Sequence, residues 1–297
     1  MTSTLPIVFV HRGNSRYLFY SLRQARRWNP DADIYLLGTQ ESRHLARWVT
    51  HVSVEDYRRR ADAFAAVYQH HSRLGYDFEL FCIQRWFILL DFMERHDIER
   101  CVALDTDILV YTDLAEAVTQ LPQDGITMTG WSPHTNYVSR REVLEAFCTF
   151  VQTHYEGSHA AERLQELVSK VHEQVPGAAG ISDMSWFWHF AEVHPGKVTQ
   201  LMHERAFGVW DNSITYADGF QMIEGSKRIT WRDGLPYGIS EKSGTPRRFF
   251  LLHFQGTGKP LLYRNLRPQG KGLAFWRRWA DAIYWAQRVR KKLTSGA

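Results

Sequence analysis

Asp105 and Asp107 flank Thr106 directly after the apolar run Cys101-Val102-Ala103-Leu104, and a second apolar run, Ile108-Leu109-Val110-Tyr111, leaves them. A short apolar run bounded in this way predicts a buried strand, with the aspartates where it emerges. In extended chain, residues i and i+2 point to the same side, so the two carboxylates face one point about 6–7 Å apart. Carboxylates aimed together repel and lose water, and a hard divalent cation that also takes phosphate oxygens relieves both costs. Asp-x-Asp is a weak pattern by itself, and a surface turn accounts for it equally well. Further along, Phe249-Phe250-Leu251-Leu252 delivers His253 into Phe254-Gln255-Gly256-Thr257-Gly258-Lys259-Pro260. A lone histidine at a strand end is usually a satisfied core residue. This one opens a loop with two glycines and a lysine, the groups needed to grip a diphosphate beside a metal.

Two more charged residues stand in unusual company. Arg85 lies within the pattern Phe78, Phe81, Cys82, Trp86, Leu89, Leu90, Met93, apolar nearly all round a helix expected from Phe78 to about His96. Its guanidinium must pair with a structural carboxylate, a phosphate, or the Asp105/Asp107 pair. Asp183 follows the small-residue stretch Pro176-Gly177-Ala178-Ala179-Gly180-Ile181-Ser182 and precedes an aromatic helix, Met184 to Ala191. It reads as an N-cap or as a carboxylate aimed into a ligand cleft.

The elements that must position these residues follow an α/β pattern. Ile7-Val8-Phe9-Val10 is a strand, and His11-Arg12-Gly13-Asn14-Ser15 turns out of it. A helix follows from Tyr17 to Trp28, with Ser15 or Asn14 as its cap, and Ile34–Gly38 is a second strand. Strand, helix, strand at this spacing is a βαβ unit, and ligands of such sheets lie at the carboxyl ends of the strands. The turn after Val10 is therefore a candidate nucleotide pocket, without a Gly-x-Gly-x-x-Gly fingerprint. Helices are expected over Glu55–Ser72, Leu114–Thr119, Arg141–Tyr155 and His159–Gln174, and strands at Ile126–Gly130 and Arg228–Trp231. Trp131-Ser132-Pro133-His134-Thr135-Asn136-Tyr137 reads as a polar and aromatic loop suited to sugar hydroxyls and rings. Arg58-Arg59-Arg60 and His70-His71 read as solvated surface.

Composition narrows the class. A chain of 297 residues with 44% hydrophobic and 23% charged residues is ordinary for a globular protein of one large or two small domains. No window approaches the about 18–20 uncharged apolar residues of a spanning helix, and the N-terminus lacks the marks of a signal peptide. Cys82, Cys101 and Cys148 sit among apolar neighbours and read as buried thiols of a reducing compartment. Residues 264–297 carry nine Lys/Arg against Asp281 alone, so a net charge of +4 combines a basic tail with a mildly acidic body. That distribution argues against a general nucleic-acid binder.

Asp105-Thr106-Asp107, Asp183 and the His-x-x-Gly-x-x-Lys-Pro segment at 253–260, in this order, resemble the GT-A glycosyltransferases. The likeness is greatest to the retaining glycogenin and lipopolysaccharide galactosyltransferase group, and it runs from the first strand to about residue 263. The resemblance implies a GT-A, Rossmann-like α/β domain over 1–263 with a central, mostly parallel mixed sheet. It implies Asp105, Asp107 and His253 as ligands of Mn²⁺ or Mg²⁺, the nitrogen donor favouring Mn²⁺. A nucleotide-sugar donor, UDP-linked, would meet Val10, His11, Asn14, Arg85, Asp105, Thr106, Gly256 and Lys259. Lys259 and Arg85 would steady the departing diphosphate. Asp183 and Arg85 are the candidate catalytic residues, Asp183 orienting the donor sugar or the acceptor. Two departures stand out: Leu261 replaces a tryptophan after Lys-Pro, and Met184 replaces the glutamine of an Asp-Gln pair. The second leaves a retaining outcome open.

The tail, 264–297, predicts a basic amphipathic helix, with Phe275, Trp279, Ile283, Ala286 and Val289 at spacings of three and four. It either docks on the domain or lies on a membrane surface, which suits a glycan or lipid-linked acceptor and a cytoplasmic enzyme peripheral to the inner face. The rival readings are a non-catalytic nucleotide-sugar or glycan binder and a haloacid-dehalogenase-like phosphohydrolase. The second needs a further acidic pair that the sequence does not display.

Overall fold

The computed structural model describes residues 5–202, 208–266 and 273–294; within the last helix, side chains are described at 278, 279 and 281–289. The architecture is mixed α/β, and the chain forms two compact units. One comprises Met1–Val10, Ser53–Leu104 and Val118–Leu201; the other comprises His11–Val52, Asp105–Ala117 and Met202–Ala297.

In the first unit, Cys101–Leu104 is fully buried, as its uncharged run requires. It pairs in parallel with the first strand (Ile7↔Val102, Phe9↔Leu104) and antiparallel with Thr135–Val138. Ile126–Met128 and Val198–Gln200 form a second parallel pair. Helices Tyr76–Arg95, Arg141–Tyr155 and Asp183–Val193 supply an aromatic core. Phe147 and Phe187 lie 4.2 Å apart between ring centroids, and Trp86 and Phe187 4.7 Å. Each such ring, fully buried, contributes about 1.5–3 kcal/mol from apolar burial. Cys101 and Cys148 are buried free thiols and Cys82 is half-buried.

In the second unit, helix Leu18–Trp28 is fastened to strand Ile108–Val110 through Ser21 Oγ–H, which donates to Ile108 O at 2.7 Å. That strand runs antiparallel to Pro246–His253, which continues into Leu235–Ile239 and Ile229–Arg232, while Val209–Trp210 lies parallel to Pro246–His253. The last helix, Leu273–Thr294, docks here: Trp279 sits 5.5 Å from Trp48, and Asp281 accepts from Arg16 at 2.7 Å. Among the described residues, no helix is long and apolar enough to cross a membrane.

Several expectations need correcting. The segment read as one helix over Glu55–Ser72 is a 3₁₀ turn, Val54–Tyr57, and a helix, Arg59–Val67, that stops where Tyr68 takes an extended backbone. Neither Ser15 nor Asn14 caps Leu18–Trp28 with its side chain; Tyr17 holds the N-cap position, and Ser15 O accepts the Leu18 N–H instead. The segment Trp131–Tyr137, read as an exposed sugar-binding loop, is largely buried, His134 and Asn136 completely so. Thr135-Asn136-Tyr137-Val138 is a strand because its neighbours on the sheet need its backbone groups, and β-branched and aromatic residues suit that surface. Strand Leu235–Ile239 was not expected, since Pro236 argues against a strand. The Asp233-Gly234 turn, with φ of 51° and 78°, builds the hairpin regardless.

Candidate metal and nucleotide site

The antiparallel register of Ile108–Val110 against Pro246–His253 pairs His253 with Ile108. Asp107, one residue before, therefore comes beside the histidine, and Phe254 N–H donates to Asp107 O at 3.0 Å. Asp105, two residues earlier, joins them: one ligand atom from each of Asp105, Asp107 and His253 lies within 4.8 Å of the others. Asp107 and His253 are buried and Asp105 is half-buried. Three donors gathered this closely could share one ion after a small inward adjustment, and two carboxylates with one imidazole form a set that Mn²⁺ accepts.

Electrostatics point the same way. Burial opposes the charged form of Asp107, but the hydrogen bond and charge of His253, with the charge of Lys259, hold its carboxyl below the ordinary value. Burial likewise opposes a charged His253, yet the hydrogen bond to Asp107 and the negative charge of both aspartates raise it. His253 Nε2 is 3.5 Å from Asp107 Oδ1. Its Nδ1–H donates to Asn212 O at 2.6 Å, which leaves Nε2 as the nitrogen facing the carboxylates.

The Gly-rich turn Gly256–Gly258 leads into helix Lys259–Asn265, with Pro260 in its first turn. Gly256 takes φ +53°, which a β-carbon would strain. Lys259 Nζ lies 3.4 Å from Asp107 Oδ2 and 5.0 Å above the ring of Tyr17, a cation–π contact absent from the sequence reading. Burial lowers Lys259's basicity, but Asp107 and Tyr17 more than offset it.

His11 donates to or accepts from Thr106 Oγ1 through Nδ1 at 3.0 Å, and its Nε2 is buried with no partner among the described residues. Burial and the charge of Lys259 outweigh the attraction of Asp107 and push it down to about 4, so the ring is neutral near pH 7. An orphaned, neutral ring nitrogen beside Thr106 is a ready contact for a ligand hydroxyl or amide. Val10 is half-buried at the end of the first strand. Asn14 is committed elsewhere: its Nδ2–H donates to Gln287 Oε1 at 2.7 Å.

In the first unit, Arg85 pairs with Asp183, Nη2 to Oδ2 at 2.6 Å and Nε to Oδ2 at 3.2 Å, and Trp86 Nε1–H donates to the same oxygen at 3.2 Å. A structural carboxylate was one of the partners the sequence allowed for Arg85. Asp183 is the first residue of its helix; the cap is Ser182, which forms a capping box with Ser185. The carboxylate is thereby free to turn toward Arg85. Glu79 was not singled out by the sequence. It is buried, accepts from Ser72 Oγ at 3.3 Å through one oxygen, and has no partner among the described residues on the other. Burial and the charge of Asp183 push its carboxyl up to about 7. Its place in the first turn of an apolar helix was the signal available.

No protein-family model matches the sequence, and no curated protein matches it. Among solved structures, the chain is similar to mouse xyloside xylosyltransferase 1, with 14% identity and a TM-score of 0.48 over 67% of this chain and 85% of that one. It is similar to an active-site mutant of LgtC, with 13% identity and a TM-score of 0.46 over 89% and 98%. A glycosyltransferase involved in glycosylation of the PBCV-1 major capsid gives 10% identity and a TM-score of 0.46 over 88% and 99%. These structural neighbours are glycosyltransferases.

Proposed function

We propose that this chain is a metal-dependent glycosyltransferase of the GT-A type, moving a sugar from a nucleoside-diphosphate donor, UDP-linked, to a glycan or lipid-linked acceptor. The observation that carries the reading is the convergence of Asp105, Asp107 and His253, with Lys259 within 3.4 Å of Asp107. A divalent ion held there would neutralise charge developing on the departing diphosphate. Lys259 supplies fixed positive charge to the same group, and the turn at Gly256 lets backbone N–H groups approach it. His11 and Thr106 are the proposed contacts to the nucleoside, together with Val10. Asp183, oriented by Arg85, is the proposed group for aligning the donor sugar or the acceptor. Domain 1–263 carries the chemistry in this reading. The face of the last helix that bears Trp285, Arg288 and Val289, all exposed, is the part offered to a membrane surface.

The test is a panel of nucleotide sugars incubated with Mn²⁺, with and without chelator, scored for free nucleoside diphosphate. The reading predicts metal-dependent release with at least one UDP-sugar and none from Asp107→Ala. Release that is unaffected by chelator, or equal in that variant, would reject it.

A further inference from the structure

Lys227 is 2% exposed, a rare position for a lysine. It sits on a two-stranded hairpin, Met222–Ile223 with Ser226–Lys227, whose turn residues Glu224 and Gly225 take φ of 48° and 75°. All three donor positions of its ammonium are filled: Asp211 Oδ1 at 2.8 Å, Ser213 O at 2.6 Å and Asp218 Oδ2 at 2.7 Å. Its backbone N–H donates to Ile214 O at 2.7 Å. A buried ion pair adds little to stability compared with well-packed apolar residues, so stability alone is a weak reason for this arrangement.

What the ammonium holds is the segment 211–214, and that segment holds His253 on three sides. Asp211 Oδ2 accepts the His253 backbone N–H at 3.0 Å. Asn212 O accepts the ring Nδ1–H at 2.6 Å. Ile214 N–H donates to His253 O at 2.8 Å. One carboxylate, that of Asp211, thus bridges the lysine and the histidine with its two oxygens. The acidic pair Asp211 and Asp218 is bridged by this lysine's ammonium, which occupies the place a cation would take between them.

We infer that Lys227 is a positioning residue for the metal centre: by clamping residues 211–214 it fixes the orientation and tautomer of His253 so that Nε2 faces Asp105 and Asp107. The inference rests on the metal reading proposed above. Outer groups that orient a ligating histidine commonly change metal affinity tenfold to a hundredfold when removed.

The experiment measures Mn²⁺ affinity of the full chain, without nucleotide, from the electron-paramagnetic signal of free Mn²⁺. Lys227→Met alone strands the buried Asp211 carboxylate, and leaves Asp218 without its partner, so it risks unfolding. A compensated variant, Lys227→Met with Asp211→Asn and Asp218→Asn, keeps size and leaves no unpaired charge, and the residue at 211 retains an acceptor for His253 N–H. Its fold is checked by circular dichroism and thermal melting. We expect a folded protein that binds Mn²⁺ about ten- to a hundredfold more weakly than wild type, with Asp107→Ala showing no site at all. Wild-type affinity in the folded compensated variant overturns the positioning role and leaves the metal centre standing. Indistinguishable wild-type and Asp107→Ala titrations overturn the metal centre, and this inference with it.

Discussion

Two clusters of charge in this molecule are built to opposite specifications. Around Asp107, two carboxylates and an imidazole converge, and the fixed cation Lys259 stands off at 3.4 Å with a half-exposed side chain. Around Asp183, the carboxylate is already answered: three donors from Arg85 and Trp86 meet one oxygen, and the neighbouring Glu79 is pushed toward its neutral form. The first cluster gathers like charges at one point. The second is internally balanced and rigid. A site that must exchange ligands keeps charge to spare, whereas a group that must only be held in one place is saturated with hydrogen bonds.

The comparison can be broken most sharply at Asp107. Asp107→Ala should abolish Mn²⁺ binding and reduce transfer to background while leaving the protein folded, with only a modest loss of melting temperature as His253 and Lys259 lose the carboxylate that faces them. A large drop in melting temperature would place Asp107 with the saturated cluster instead. Arg85→Met should behave in the opposite way, costing about 3 kcal/mol of stability by leaving the Asp183 carboxylate buried and unpaired. Urea denaturation checks it, and an unchanged midpoint would mean the pair is idle. Lys259→Met should weaken nucleoside-diphosphate affinity by about tenfold, the worth of one partly exposed charged contact, with little effect on melting. Isothermal titration in Mn²⁺ buffer reads that change.

The mildest effect concerns Glu79 and pH. Its folded pKa, about 7, lies above that of an unfolded carboxyl, so the folded state binds the proton more tightly. The stability this contributes is fully present below the unfolded pKa and is lost as pH rises through about 7. The melting temperature should therefore fall between about pH 5 and 8, and Glu79→Gln, with nothing to ionise, should flatten that fall. Parallel curves for the two proteins would show that burial does not raise the Glu79 carboxyl above its unfolded value.

The contrast also explains what was legible in the residues themselves. The proposed metal ligands lie in two stretches whose chemistry is local: an Asp-x-Asp after an apolar strand, and a histidine opening a Gly-Lys turn. Each can be read from a few neighbours, and one antiparallel register brings them together. Arg85 was conspicuous because a guanidinium stood in an apolar helix, but its partner lies 98 residues away, and nothing local selects Asp183 over other carboxylates. Lys227 was invisible for the same reason, and Glu79 was marked only by its place in an apolar helix: a charged residue on a short hairpin or in a first helical turn looks solvated until tertiary packing buries it. The misread loop at 131–137 fails on another ground. Its serine, threonine and asparagine are polar enough for a surface, yet all three are buried, held by hydrogen bonds that the residue types alone do not announce. Asn136 Nδ2–H, for example, donates to Thr127 O at 2.5 Å. By contrast, Asp233-Gly234 was a local hairpin signal available for the taking.

The docking of the last helix has a bearing on how the molecule is made. Asn14, in the turn after the first strand, is tied to Gln287, and Arg16 to Asp281. A chain emerging from the ribosome at about 5–20 residues per second has its opening turn in hand long before those counterparts appear. The turn that carries Asn14 and Arg16 therefore gains these contacts only once residues 281–287 have been made.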